Sequence, residues 1–141
     1  MRKKFNGRHS LPLITLLSCL QMPLHAQQAE SIGIVISTKG VVQARNAAGV
    51  VRTLSRRSEI FVDDTILVGA DGMAQVRMAD DARISFAANT EFTFNDYEFD
   101  GNPATPDSAV MSMVRGGFRT ISGTVGDADA DTYRIDTPMA S

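Results

Sequence analysis

Polar and apolar residues alternate along most of this chain. "MAQVRMA" (73–79) sets Ala74, Val76 and Met78 on one side of an extended backbone, with Gln75 and Arg77 on the other. "ARISFA" (82–87) opposes Ile84 and Phe86 to Arg83 and Ser85, and "EFTFN" (91–95) repeats the pattern with Phe92 and Phe94. A period of two, in runs broken by Asp-Asp, Asn-Thr or Gly, predicts antiparallel strands with one buried face. Further strands are expected near 32–37, 41–45, 50–54, 59–62, 65–68, 109–115, 118–122 and 132–136. From Ser31 onward there is no amphipathic helix of useful length.

Turn residues fall between these runs. Asn46 to Gly49 closes a hairpin between "GVVQAR" and "VVRTL", and Ala70-Asp71-Gly72 supplies a residue tolerant of positive φ before the next strand. "FDGNPATPD" (99–107) is a surface loop, because Gly101, Pro103 and Pro106 forbid a continuing ladder. The expected class is all-β, with many short, mainly antiparallel strands in a compact sandwich or barrel-like roll. One register question is open. Phe92 and Phe94 are even-numbered, whereas Tyr97 and Phe99 are odd, so an unbroken strand would put the pairs on opposite faces. Either Asn95-Asp96 forms a bulge that restores one face, or Tyr97 and Phe99 make an apolar patch of candidate partner contacts.

The N-terminus has a different pattern. Arg2, Lys3, Lys4 and Arg8 precede the apolar run Leu11 to Leu20, and Pro23 is followed by Leu24-His25-Ala26. This order is that of a secretory signal peptide over 1–26, cleaved between Ala26 and Gln27, with one β domain over 27–141. The apolar run is about ten residues, short of the roughly twenty that span a bilayer. A rival processing site is "LLSC" (16–19), close to a bacterial lipoprotein box, which would lipidate Cys19 and make an outer-membrane lipoprotein. Leu17 fits that box poorly, so simple cleavage and a periplasmic or secreted domain are preferred.

Processing changes the available chemistry. The one Cys (19) and both His (9 and 25) lie in the leader. The remaining domain is then without disulfides, Cys-His pairs, Ser-His-Asp triads or Cys/His zinc sites. Ten basic residues face 16 acidic ones after Ala26, a balance that argues against nucleic acid or an anionic membrane as partner. The expectation is a nonenzymatic domain without cofactor.

The remaining clusters are read as structural. "GGFRTISGTVG" (116–126) is rich in glycine, but no Lys-Ser/Thr or helix follows, as a phosphate loop requires. Asp127, Asp129 and Asp131 match the first three calcium-ligand spacings of an EF-hand, yet Thr132 and Pro138 occupy its glycine and glutamate positions. A solvated loop is the preferred reading. Asp96, Glu98 and Asp100 share one side of an extended segment. Asp63-Asp64 and Asp80-Asp81 are neighbours whose side chains diverge on a strand, so neither pair converges on a substrate atom. Arg56-Arg57 is read as a solvated turn. Without Trp, the aromatic available to stack on a sugar is Tyr97.

In their order, "GVVQAR…G…L", "DDTILVGADGMAQVRMADDARISFAANTEFTFNDYEF", "MVRGGFRTISG" and "YRIDTPMA" resemble the FecR domain of bacterial envelope proteins. The resemblance covers about residues 32 to 140. Asp64, Ile66 and Gly69 match the family's Gly-Asp-x-Ile-x-Thr-Gly step, and Asp71-Gly72 its Asp-Gly before an alternating strand. Asp80 opens its Asp-Gly-Ser/Thr turn. Gly116, Arg119 and Gly123 match its Gly-x-x-Arg-x-x-(Ser/Thr)-Gly run, and Thr137-Pro138 its closing Thr-Pro. The chain departs from the frame at Asp63 and Asp81, where the family has Gly, at Val68, where it has Thr, and at Arg57, an expected turn glycine. The family continues past Thr-Pro-x-Ala into another strand, whereas this chain stops at Ser141. The expectation is either a truncated fragment or a domain whose last strand is missing, and an unfilled sheet edge would be a site for strand addition or for aggregation.

The resemblance implies an exported interaction or signalling module that binds an envelope or outer-membrane receptor protein. About ten residues precede the apolar run, so the cytoplasmic sigma-regulating half of FecR-type regulators is not expected to carry over. An envelope-polymer binder, of glycan or peptidoglycan, is the alternative, with Tyr97, Phe99 and nearby acids as its first candidates. Mass spectrometry of the exported chain should find Gln27 at its N-terminus; a lipid-modified Cys19 would instead establish the rival route.

Overall fold

The computed structural model describes residues 29–125 and 131–138. These contain eleven strands: β1 (Gly33–Lys39), β2 (Val42–Arg45), β3 (Val51–Thr53), β4 (Glu59–Ile60), β5 (Thr65–Val68), β6 (Met73–Met78), β7 (Arg83–Phe86), β8 (Glu91–Glu98), β9 (Ser108–Arg115), β10 (Phe118–Ile121) and β11 (Tyr133–Asp136). Each falls on an expected segment. The hairpin between β2 and β3 closes at Asn46, whose Oδ1 accepts from Val50 N at 2.9 Å, with Gly49 at φ 81°. β3 and β4 are each two residues shorter than expected; β4 ends early because the chain turns at once, Asp64 N donating to Phe61 O at 3.2 Å and Asp63 taking φ 66°.

The strands divide between two sheets. One has the order β10-β7-β6-β1-β4 and the other β11-β9-β8-β5-β2-β3. Pairing is antiparallel throughout, apart from β11, which lies parallel to β9. Alternation places Ala74, Val76, Met78, Ile84 and Phe86 of the first sheet in one core with Val42, Ile66, Phe92, Phe94 and Met111 of the second. Phe92 joins the sheets: its ring centroid is 5.1 Å from Phe86 and 5.2 Å from Phe118, both across the core, and 5.3 Å from Phe94. Each such buried side chain contributes about 1.5–3 kcal/mol of transfer free energy. Among the described residues, no helix is long and apolar enough to cross a membrane.

The β8 register answers the parity question. Phe94 pairs with Met111 and Asp96 with Val110, so Asn95 is the extra residue of a bulge. Beyond it Tyr97 turns back to the core face and is 8% exposed, while Phe99 packs half-buried at the core margin. The exposed Tyr97 of the apolar-patch reading is therefore corrected: its ring is interior because the bulge shifts the strand by one residue.

Backbone strain also falls in other places than expected. The Ala70-Asp71-Gly72 turn has no positive φ. Gly72 is required for space instead, since a Cβ there would lie 2.7 Å from Val68 Cγ1 and 3.1 Å from Val41 O. Left-handed backbone occurs at Arg57 (φ 74°), Asp63 (φ 66°), Asp81 (φ 68°) and Asn89 (φ 57°), none of them glycine. Asn and Asp accept this conformation through local hydrogen bonds, whereas Arg has no such compensation. Arg57→Gly should stabilise the domain by about 1 kcal/mol, seen as a higher urea midpoint with an unchanged slope. An unchanged or lower midpoint would show that the Arg57 side chain offsets its strain.

Candidate functional site

Two buried carboxylates organise the turns. Asp64, 1% exposed, lies just before β5. Its Oδ1 accepts from Arg52 Nη1 at 3.0 Å, and its Oδ2 from Arg52 Nη2 and from Phe61 N at 2.9 Å. Arg52 also donates to Glu59 O at 2.9 Å and sits 5.4 Å from the centre of the Phe61 ring. The hydrogen bond to Asp64 raises the pKa of the Arg52 guanidinium, holding it firmly charged. Nothing in the local sequence marks Arg52, because its partner is twelve residues away beyond two turns.

Asp80 is 3% exposed, in the β6–β7 turn. Its Oδ1 accepts from the Tyr97 hydroxyl at 2.7 Å and from Ala82 N at 3.2 Å, and its Oδ2 from Val125 N at 3.1 Å. Its backbone joins the same cluster, N donating to Tyr97 Oη at 3.0 Å and O accepting from Thr124 N at 3.2 Å. Burial, followed by the hydrogen bond to Asp80, pushes the Tyr97 hydroxyl far above its ordinary pKa of 10.0.

The other motif residues occupy close approaches or strand positions. Gly116 takes φ 96°, and a Cβ there would overlap Thr90, whose Oγ1 accepts from Gly117 N at 3.1 Å. A Cβ on Gly123 would overlap Asp80 O and Ala82 N. Gly69 N donates to Val41 O at 2.9 Å. Ile66 is fully buried, while Asp71, Arg119, Thr137 and Pro138 are exposed. Arg119 faces outward on β10 opposite Ser85. The glycine-rich "GGFRTISG" is thus an edge strand that follows a bend at Gly116 and leads through Gly123 into a short helical turn at Thr124 and Val125. Ala26, Gln27, Cys19, Asp127 and Asp129 lie outside the described residues. Among the described ones, no group of three or more His, Cys, Asp or Glu is arranged to hold a metal.

Two clefts flank the 99–107 loop. On one side of Phe99 a cleft of about 470 Å³ is lined by Glu30, Ile32, Val62, Glu98, Asp100 and Asp107, among others. On the other side a cleft of about 560 Å³ is bounded by the loop itself with Thr124 and Thr132. Phe99, Thr105, Pro106 and Asp107 line both. Of the two candidate contacts, Phe99 therefore faces accessible space on both sides, whereas Tyr97 contributes to the wall of the first cleft and anchors its hydroxyl inside. Asp96 accepts from Ser108 Oγ at 3.1 Å and lines neither cleft.

Compared with known proteins, the chain matches no family model, no curated protein and no solved structure.

The buried phenol makes stability depend on pH in the alkaline range. Tyr97 ionises more readily in the unfolded chain than in the folded one, so its contribution is complete below pH 10 and is lost as pH rises towards the folded pKa. Urea midpoints should fall above that pH in the native chain, with the fall attenuated in Tyr97→Phe. An identical alkaline fall in both would exclude Tyr97 as its source.

Proposed function

We propose that the chain is an exported, nonenzymatic interaction module of the bacterial envelope, built as a FecR-like compact roll, that binds an envelope or outer-membrane receptor protein. The observation that carries the family reading concerns three departures from the FecR frame. Arg57, Asp63 and Asp81 stand where that frame has glycine, and all three adopt positive φ. Glycine is the residue that tolerates this conformation without a Cβ penalty. The backbone at these positions therefore follows a glycine pattern that the side chains no longer display. The close approaches at Gly116 and Gly123 support the same reading, since each motif glycine lies against a named turn.

Binding would use the periplasmic or secreted domain's sheet edges and its 99–107 loop. Strands β3 and β11 bound one sheet, and β4 and β10 the other. Exposed strand edges offer backbone donors and acceptors to a partner. The second reading, a glycan or peptidoglycan binder, is favoured by the cleft that Phe99 shares with Asn102, Thr105, Thr124 and Thr132, an aromatic face beside hydrogen-bonding groups.

In-cell crosslinking of the tagged exported chain should recover one envelope or outer-membrane protein reproducibly. Recovery of glycan alone, diminished in Phe99→Ala, would replace the first reading by the second. Recovery of nothing by a chain shown to be folded would overturn both.

A further inference from the structure

The strands that end the two sheets are not equally closed to a further strand. β4 has two residues and β3 three, and β11 is followed within two residues by Pro138. Short length and proline are ways in which an edge avoids additional pairing. β10 has neither. Its four residues pair with β7 in unbroken register, and no strand among the described residues lies on its other side.

The alternation of that ladder fixes what the edge offers. Ala87 N donates to Gly117 O at 2.9 Å, so Gly117, Arg119 and Ile121 direct their backbone groups to β7. The N–H and C=O groups of Phe118 and Thr120 therefore point to the free edge. The strand is held at both ends. Gly117 N donates to Thr90 Oγ1 at 3.1 Å before it, and Gly123 lies against Asp80 and Ala82 after it. The Phe118 ring packs on Phe92. An edge fixed in this way loses little freedom when a strand is added.

The outer face beside this edge is basic. Arg119 and Ile121 project outward from β10, and Ile121 is 58% exposed. Arg83 stands opposite Ile121 on one side and opposite Arg77 on the other. Arg77, Arg83 and Arg119 have no ion pair among the described residues, whereas Arg45, Arg52, Arg115 and Arg134 each have an acid. Like charges directly opposed on neighbouring strands are unfavourable. A second copy of β10 is therefore the wrong occupant, since it would add its own Arg119 to this face. An acidic strand would neutralise it.

We propose that the free edge of β10 receives an extended segment of a partner polypeptide, hydrogen-bonded to Phe118 and Thr120, with an Asp or Glu opposite Arg119 and an apolar residue opposite Ile121. Every pairing in this sheet is antiparallel, and in that orientation the apolar residue comes two positions before the acid. This rests on the reading of the chain as a protein-interaction module; it selects one edge and the chemistry of the strand that fits it.

The test is an NMR titration of the isotope-labelled exported chain with the capped peptide acetyl-Thr-Val-Thr-Glu-Thr-Val-amide at low salt. Saturable binding should slow hydrogen exchange at the Phe118 and Thr120 amides, which a side-chain ion pair alone would leave unprotected. Affinity should fall roughly fivefold or more when Lys replaces Glu in the peptide, or in Arg119→Glu. Arg119→Glu should in turn prefer the Lys peptide, which also shows that the variant is folded. No saturable binding at millimolar peptide, binding without protection of those amides, or equal affinity for the two peptides would overturn the proposal. Crosslinking with Arg119→Glu separates the two levels. Undiminished receptor capture would leave the module reading standing and remove β10 as its edge, whereas peptide binding without any capture by the native chain would do the reverse.

Discussion

A carboxylate leaves water only where the fold replaces its hydrogen bonds, and Asp64 and Asp80 impose that condition where the two sheets meet. Removing such a charge from solvent costs several kcal/mol after relaxation, so the partners must arrive in correct geometry. Asp80 sits between two strands of the first sheet and is satisfied by Tyr97 of the second and by Val125 on the crossover between β10 and β11. Asp64 opens a strand of the second sheet and takes Phe61 N from the chain leaving the first, while Arg52 comes from the edge strand β3. The Phe92 cluster makes the two faces adhere. The carboxylates fix how they are aligned, because hydrogen bonds are directional and apolar contact is not.

This arrangement requires tight turns, and the chain meets the requirement in two physically different ways. At Gly72, Gly116 and Gly123 the absence of Cβ lets one backbone segment lie against another. At Arg57, Asp63, Asn89 and Asp81 a full side chain accepts left-handed backbone. Asp63 and Asp81 each adjoin one of the buried carboxylates, so the strained residue turns the chain and its neighbour secures the turn. The strain is held by the bonds beside it.

The β8 bulge links this scaffold to the surface. By inserting Asn95 it turns Tyr97 inward to Asp80, and the same one-residue shift turns Glu98 outward. Without it, Glu98 would share the face of Phe92 and Phe94. One local irregularity therefore both completes the buried cluster and supplies a carboxylate to the cleft beside Phe99. The 99–107 loop then adds Asp100 and Asp107 without interrupting the ladder on either side.

The amino-acid sequence by itself determined the strands, the 99–107 loop and the faces of β6, β7 and the first half of β8. Alternation is a property of a few consecutive residues, since side chains on an extended backbone must project to opposite sides. It also left just two options for Tyr97, a bulge or a patch. Only the tertiary structure decided between them, because the strain of a bulge is accepted when burial and a hydrogen bond to Asp80 repay it. The Arg52–Asp64 pair, the parallel lie of β11 on β9, the true reason for Gly72 and the gathering of acids around Phe99 were likewise settled by contacts between distant segments. Such contacts depend on which strands become neighbours, and a period of two is the same for every neighbour a strand might take.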